Sequence, residues 1–146
     1  MSTLDTALLD LGRRARDAAS ALRLAPGAAR TAAIQTMAQR LRSSAGEIAT
    51  ANAPDIDAAF AKGMTEAFID RLRLDVERAH GAADGLSGIA DQPDPVGAVM
   101  AEWTRPNGLR IQRVRVPMGV IGMIFESRPN VAADAGGLAV RSGNAI

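Results

Sequence analysis

The stretch Arg115-Val116-Pro117-Met118-Gly119-Val120-Ile121-Gly122-Met123-Ile124-Phe125-Glu126-Ser127-Arg128-Pro129-Asn130-Val131 decides how this chain is read. Residues 120–125 are apolar throughout, which predicts a parallel strand covered on both faces rather than a half-buried edge. A polar turn, residues 126–130, leads into a predicted helix over 131–141 that Ser142-Gly143-Asn144 ends. Ala145 and Ile146 read as the first residues of a second strand. The whole is a βαβ unit that stops before its second pairing is complete, and the expectation is the N-terminal part of a longer protein or a truncated product.

Open α/β sheets place ligands where strand carboxyl ends meet helix amino ends, so the turn at 126–130 is the candidate site. Unpaired backbone N–H groups there favour an anion, and the Arg128 guanidinium offers a two-pronged donor to phosphate or carboxylate. A surface ion pair between Arg128 and Glu126 is the plain alternative. Asn130 has two readings as well, a helix N-cap or a hydrogen-bond donor to substrate. Gly119 and Gly122 do not build Gly-x-Gly-x-x-Gly, so the standard dinucleotide loop is missing.

Working outward, residues 99–103 and 109–116 flank Arg105-Pro106-Asn107-Gly108, a hairpin turn signal because Asn and Gly both tolerate positive φ. Each face of the second strand mixes apolar and polar residues, as at a sheet edge. Before the hairpin the apolar period is that of helices. Leu4, Leu8, Leu11, Ala15, Ala18 and Leu22 stripe a helix over 4–23 that Thr3 could cap. Pro26 opens a second helix striped by Ile34, Met37, Leu41, Ala45 and Ile48, which Asn52 to Pro54 interrupts. A short helix over 55–62 buries Ile56 and Phe60 and ends at Gly63. One or two helical turns follow over 65–72. Asp75 caps a helix that turns Val76, Ala79, Leu86 and Ile89 inward. His80 reads as a surface residue, Trp103 as hairpin-edge packing, and Met37, Met64, Met100, Met118 and Met123 as core filler.

The 146 residues are 47% apolar, enough for one ordinary core. With 17 basic and 16 acidic side chains, the net charge of +1 argues against a polynucleotide partner. From Thr104 onward six arginines face only Glu126 and Asp134, which suits a small anion. Tyrosine is absent, which removes a usual base-stacking residue. The longest apolar run, residues 116–125, is broken by Pro117, Gly119 and Gly122 and falls short of the roughly 20 residues of a membrane helix. No basic leader precedes an apolar core at the N-terminus, so a cytoplasmic location is expected. Cysteine is absent, which excludes disulfides and a thiol nucleophile within these residues.

The opening stretch, together with Ser142-Gly143-Asn144-Ala145, Ala51-Asn52-Ala53-x-Asp55, Asp70-Arg71-Leu72-x-Leu74, Asp94-Pro95-Val96-Gly97 and Asn107-Gly108-Leu109, resembles the γ-glutamyl phosphate reductases. These glutamate-5-semialdehyde dehydrogenases are a branch of the aldehyde dehydrogenase superfamily, and the likeness covers residues 28–146. It implies an α/β, aldehyde dehydrogenase-like fold with a helical N-terminal region, a β-hairpin and the start of an open parallel sheet. Residues 1–97 would be the helical part of the cofactor-binding domain, 98–116 a hairpin leading to the oligomerisation domain, and 117–146 the first strand and helix of a Rossmann-like sheet.

The implied reaction is NADPH-dependent reduction of L-glutamate 5-phosphate to glutamate 5-semialdehyde and phosphate, a step of proline biosynthesis, in a homo-oligomer when full length. The family's nucleophile is a cysteine, so these residues alone should be inactive. Carried over residue by residue, Ile124, Phe125, Glu126 and Ser127 fall on the cofactor-lining turn. Arg128 falls where the superfamily has its oxyanion-stabilising Asn, with Asn130 two positions later. Either Asn130 takes that role or Arg128 binds an anionic part of the substrate. No nucleic acid, membrane or metal enters this reading. The competing one is a non-catalytic interaction or regulatory module that keeps the family sequence.

Overall fold

Helical periodicity governs the first two thirds of the chain in the computed structural model, which describes residues 3–146. The helices are α1 (Thr3–Leu24), α2 (Gly27–Ser43), α3 (Ala45–Ala61), α4 (Glu66–Leu72) and α5 (Val76–Asp91). A hairpin follows, β1 (Val99–Thr104) and β2 (Arg110–Val114), and then α6 (Val131–Arg141). Local chemistry sets most boundaries. Thr65 Oγ1 accepts from Phe68 N at 3.3 Å to start α4, and Asp75 Oδ1 accepts from Arg78 N at 2.9 Å to start α5. Gly63, at φ +67°, takes the left-handed position that closes α3. The side chains of Thr3 and Leu4 lie outside the described residues.

The second helix does not break at residues 52–54. It breaks at Ser44, and α3 then runs unbroken through Asn52 and Pro54. A tertiary tie explains the difference. Asn52 Nδ2 donates to Leu72 O at 3.2 Å and its Oδ1 accepts from Leu74 N at 2.7 Å. The amide that could have competed with its own helix backbone is thus engaged on the α4–α5 connection instead.

The core forms where α2, α5 and α6 meet: Ile34, Ala38, Leu86, Ile89 and Ala90 are buried, with Met37, Leu41, Ala133 and Val140 packed against them. Gly137 lets α6 approach α5 closely, since a Cβ there would stand 2.6 Å from Leu86 Cδ2. A satellite cluster joins Ile56, Ala59 and Ile69. Phe60 was expected inside and is exposed, one helical position off that cluster's face. Among the five methionines named above, only Met37 packs on the core, and Met64, Met100, Met118 and Met123 are exposed. Helix α1 is amphipathic as predicted, yet Leu8 and Leu11 remain 58% and 59% exposed, because none of the main helix packings involves α1.

Two arginines are drawn into the interior with partners. Arg30 Nη2 pairs with Asp94 Oδ2 at 2.7 Å. Arg141 Nη1 donates to Thr31 Oγ1 at 2.6 Å and its Nη2 to Gln92 O. These bonds tie the start of α2, the end of α6 and the segment after α5 together.

The hairpin is antiparallel, with Trp103 opposite Ile111 and a bulge between Val99 and Ala101. Only Gly108, at φ +84°, enters left-handed backbone; Asn107 does not, and its Oδ1 instead accepts from Leu109 N at 3.1 Å. Both strands are mostly exposed, as their mixed faces predict.

The βαβ connection exists as one parallel bridge, Val120 with Ala145. Ala145 N donates to Gly119 O and Ile121 N to Ala145 O, both at 2.9 Å. Residues 121–126 have no further ladder, and Ile124 is 100% exposed, against the expectation of a strand covered on both faces. A parallel strand is buried by its neighbours, and among the described residues only Ala145 is bridged to this one. Asn144 locks the bridge: buried, it accepts from Gly119 N at 2.8 Å and donates to Ser142 Oγ at 2.9 Å. Asn144→Ala should therefore cost about 1–3 kcal/mol by leaving the Gly119 N–H unpaired. Amide hydrogen exchange checks this, with Gly119 and Ala145 expected to lose protection first.

Candidate functional site

The turn between the parallel bridge and α6 carries the residues singled out from sequence. Ile124 is fully exposed, Phe125 is 49% exposed and Glu126 is exposed. Ser127 has φ +53°, the one non-glycine residue in left-handed backbone among the described residues. Such a conformation costs a serine on the order of 1 kcal/mol or more and persists where surroundings dictate the turn. Serine at that position carries no sequence signal for it. Among the described residues no backbone N–H from Gly122 to Ser127 is bonded to another backbone group, and a Cβ on Gly122 would meet nothing within 4 Å. The turn is therefore an open shelf with apolar side chains and free donors.

Arg128 is exposed and makes no ion pair among the described residues, so the Glu126 pairing is not formed. Asn130 stands at the N-cap position of α6 but its side chain caps nothing. Its φ of −64° and ψ of −23° are already helical, which removes the extended geometry from which an Asx oxygen reaches the next turn. Instead its Nδ2 donates to Asp134 Oδ2 at 3.2 Å. The cap reading of Asn130 is thus corrected, and its amide oxygen remains uncommitted.

A cleft of about 360 Å³ is lined in part by Asn130. Arg71, Arg73 and Arg78, from α4, its connection to α5 and α5 itself, line it together with Asn130 and Asp134. Sequence reasoning passed over these arginines because they are separated from Asn130 by more than fifty residues, although the Asp70-Arg71-Leu72-x-Leu74 motif marked the place. Among the described residues no group of His, Cys, Asp and Glu is arranged to hold a metal ion, and no helix is long and apolar enough to cross a membrane.

No family model matches the chain. A γ-glutamyl phosphate reductase of Rhodospirillum rubrum is 59% identical over 138 residues, covering 94% of this chain and 32% of the relative. The same enzyme of Caulobacter vibrioides is 57% identical over 136 residues, 93% of this chain and 33% of the relative. Among solved structures, γ-glutamyl phosphate reductase of Thermotoga maritima superposes with a TM-score of 0.90 at 40% identity, covering 94% of this chain and 33% of that one. The Saccharomyces cerevisiae enzyme does so at 0.85 and 30% identity, over 92% and 34%. The chain thus spans about a third of the length of the relatives it matches. Along that length, in sequence and in fold, it is homologous to the γ-glutamyl phosphate reductases.

Proposed function

We propose that this chain is part of an NADPH-dependent reductase that converts L-glutamate 5-phosphate to glutamate 5-semialdehyde and phosphate. The observation that carries the reading is the 59% identity along 94% of the chain, a length that includes the shelf at 124–127 and the start of α6.

The shelf suits a flat cofactor ring. Ile124 and Phe125 present exposed apolar surface, and the free N–H groups beside them suit a carboxamide or phosphate oxygen. NADPH, when bound, supplies the hydride. Ile124, Phe125, Glu126 and Ser127 would hold it, with the left-handed Ser127 turning the backbone away so that the shelf stays open. Arg128, unpaired and planar, would fix an anionic oxygen of the acyl phosphate. Asn130 is held by Asp134 and would offer its amide to the oxygen that gains charge at the acyl carbon. The thiolate that this chemistry needs has to come from outside these residues, which contain no cysteine.

The test is NADPH oxidation followed at 340 nm with L-glutamate 5-phosphate, in the complete reading frame that contains this sequence and in the 146-residue chain. The complete protein should turn over and the chain should not. A complete protein that consumes no NADPH with this acyl phosphate would overturn the reading.

A further inference from the structure

The hairpin tip has no part in the proposed reaction, and it is the place where the chain can react with itself. The sequence holds four asparagines, Asn52, Asn107, Asn130 and Asn144, and only Asn107 is followed by glycine. Residues 105–109 are all exposed. Gly108 has no Cβ to screen its nitrogen, whereas Ala53, Val131 and Ala145 follow the other three. The side-chain amides differ as well. Asn52 Nδ2 donates to Leu72 O, Asn130 Nδ2 to Asp134 Oδ2, and Nδ2 of the buried Asn144 to Ser142 Oγ. Asn107 Nδ2 has no partner among the described residues, while its Oδ1 accepts from Leu109 N at 3.1 Å. A backbone donor thus polarises the Asn107 carbonyl, and the amino group on the same carbon is free to depart.

We propose that Asn107-Gly108 is a modification site at which the chain closes a five-membered imide on itself. Gly108 N gives up its proton to hydroxide and attacks Asn107 Cγ, and Leu109 N–H steadies the negative charge that collects on Oδ1. The Cγ–Nδ2 bond then breaks, and Nδ2 takes a proton from water and leaves as ammonia. Water opens the imide at either carbonyl. Opening between Cγ and Gly108 N gives aspartate on the ordinary backbone. Opening at the α-carbonyl carries the backbone through Cβ, one methylene longer, inside the turn that the Thr104–Arg110 pair closes. Either product adds one negative charge to a chain of net charge +1. The turn bond from Gly108 N to Arg105 O, at 2.9 Å, has to open before the nitrogen attacks. At an exposed tip such a bond opens at little cost, so it slows the reaction without stopping it.

Peptide mass spectrometry tests this on the complete reading frame that contains the sequence, aged at neutral and at alkaline pH beside a synthetic peptide of residues 101–113. The fragment spanning Asn107 should gain the mass of an amide-to-acid exchange, faster in proportion to hydroxide, while Asn52, Asn130 and Asn144 stay amides. Isoaspartyl methyltransferase should label the β-linked product at this position. Asn107→Gln, which needs a six-membered ring, and Gly108→Ala, which screens the nitrogen, should each slow the gain at least tenfold. Alanine at φ +84° strains the turn, so Asn107→Gln is the variant that separates ring closure from a disturbed hairpin. The folded protein should react within tenfold of the synthetic peptide. A rate more than tenfold below the peptide's, a gain at the other asparagines as fast as at Asn107, or an unslowed Asn107→Gln would each overturn the proposal.

Discussion

Leu86→Ala should destabilise the chain by about 2–5 kcal/mol, a large share of the 5–15 kcal/mol typical of a domain. Leu86 is 2% exposed, sits at the junction of α2, α5 and α6, and belongs to the one core cluster that all three helices share. The residues clustered with it, Ile34, Ala38, Ile89 and Ala90, are apolar, so the walls of the space it would leave lose their contacts outright. The same contact makes a sharper test. Gly137→Ala would press a methyl group against Leu86 Cδ2 and Ile89 Cδ1, with closest approaches of 2.6 and 3.2 Å. Alone, that overpacking should cost about 1–3 kcal/mol. Combined with Leu86→Ala, the new methyl enters the hole, and the pair should be less destabilised than the sum of the two by roughly 1 kcal/mol or more. Denaturant midpoints of the four proteins measure this, and additivity within about 0.5 kcal/mol would show that α5 and α6 do not meet at this point.

The second large effect concerns catalysis in the complete reading frame and follows from the different settings of Arg128 and Asn130. Arg128 is exposed and makes no ion pair among the described residues, so a role in binding an anionic substrate predicts a loss in kcat/KM for the acyl phosphate. Arg128→Ala should lower it by about 10²-fold, the loss of a charge-assisted pair, while NADPH affinity changes little. Asn130 is held by Asp134 and presents its amide where α6 begins. If it stabilises the developing oxyanion, Asn130→Ala should lower kcat by about 10²–10³, or 2.7–4 kcal/mol, with KM for the acyl phosphate nearly unchanged. Steady-state kinetics with each substrate varied separately distinguishes the two. Equal losses towards acyl phosphate and NADPH for Arg128→Ala would remove its substrate role. A kcat unaffected by Asn130→Ala would pass the oxyanion to another donor.

The elements governed by neighbours in sequence were legible from the residues themselves. Asp75 starts its helix because a short side-chain oxygen reaches an N–H three residues on, and Gly63 and Gly108 sit where only glycine bends cheaply. The hairpin, α6 and the turn before it follow from the same short-range rules. What neighbours in sequence do not set was decided by tertiary structure. Asn52 looked like a helix breaker and proved to be a clamp, because its partners lie twenty residues away. Phe60 and the α1 leucines have the right period for burial and remain exposed, since period chooses a face but only a packing partner covers it. Ser127 is left-handed in the turn before α6, whatever serine prefers. The basic cleft belongs to the same class: Arg71, Arg73 and Asp134 are unremarkable charges along the chain, and only the fold brings them to the lining of one cleft.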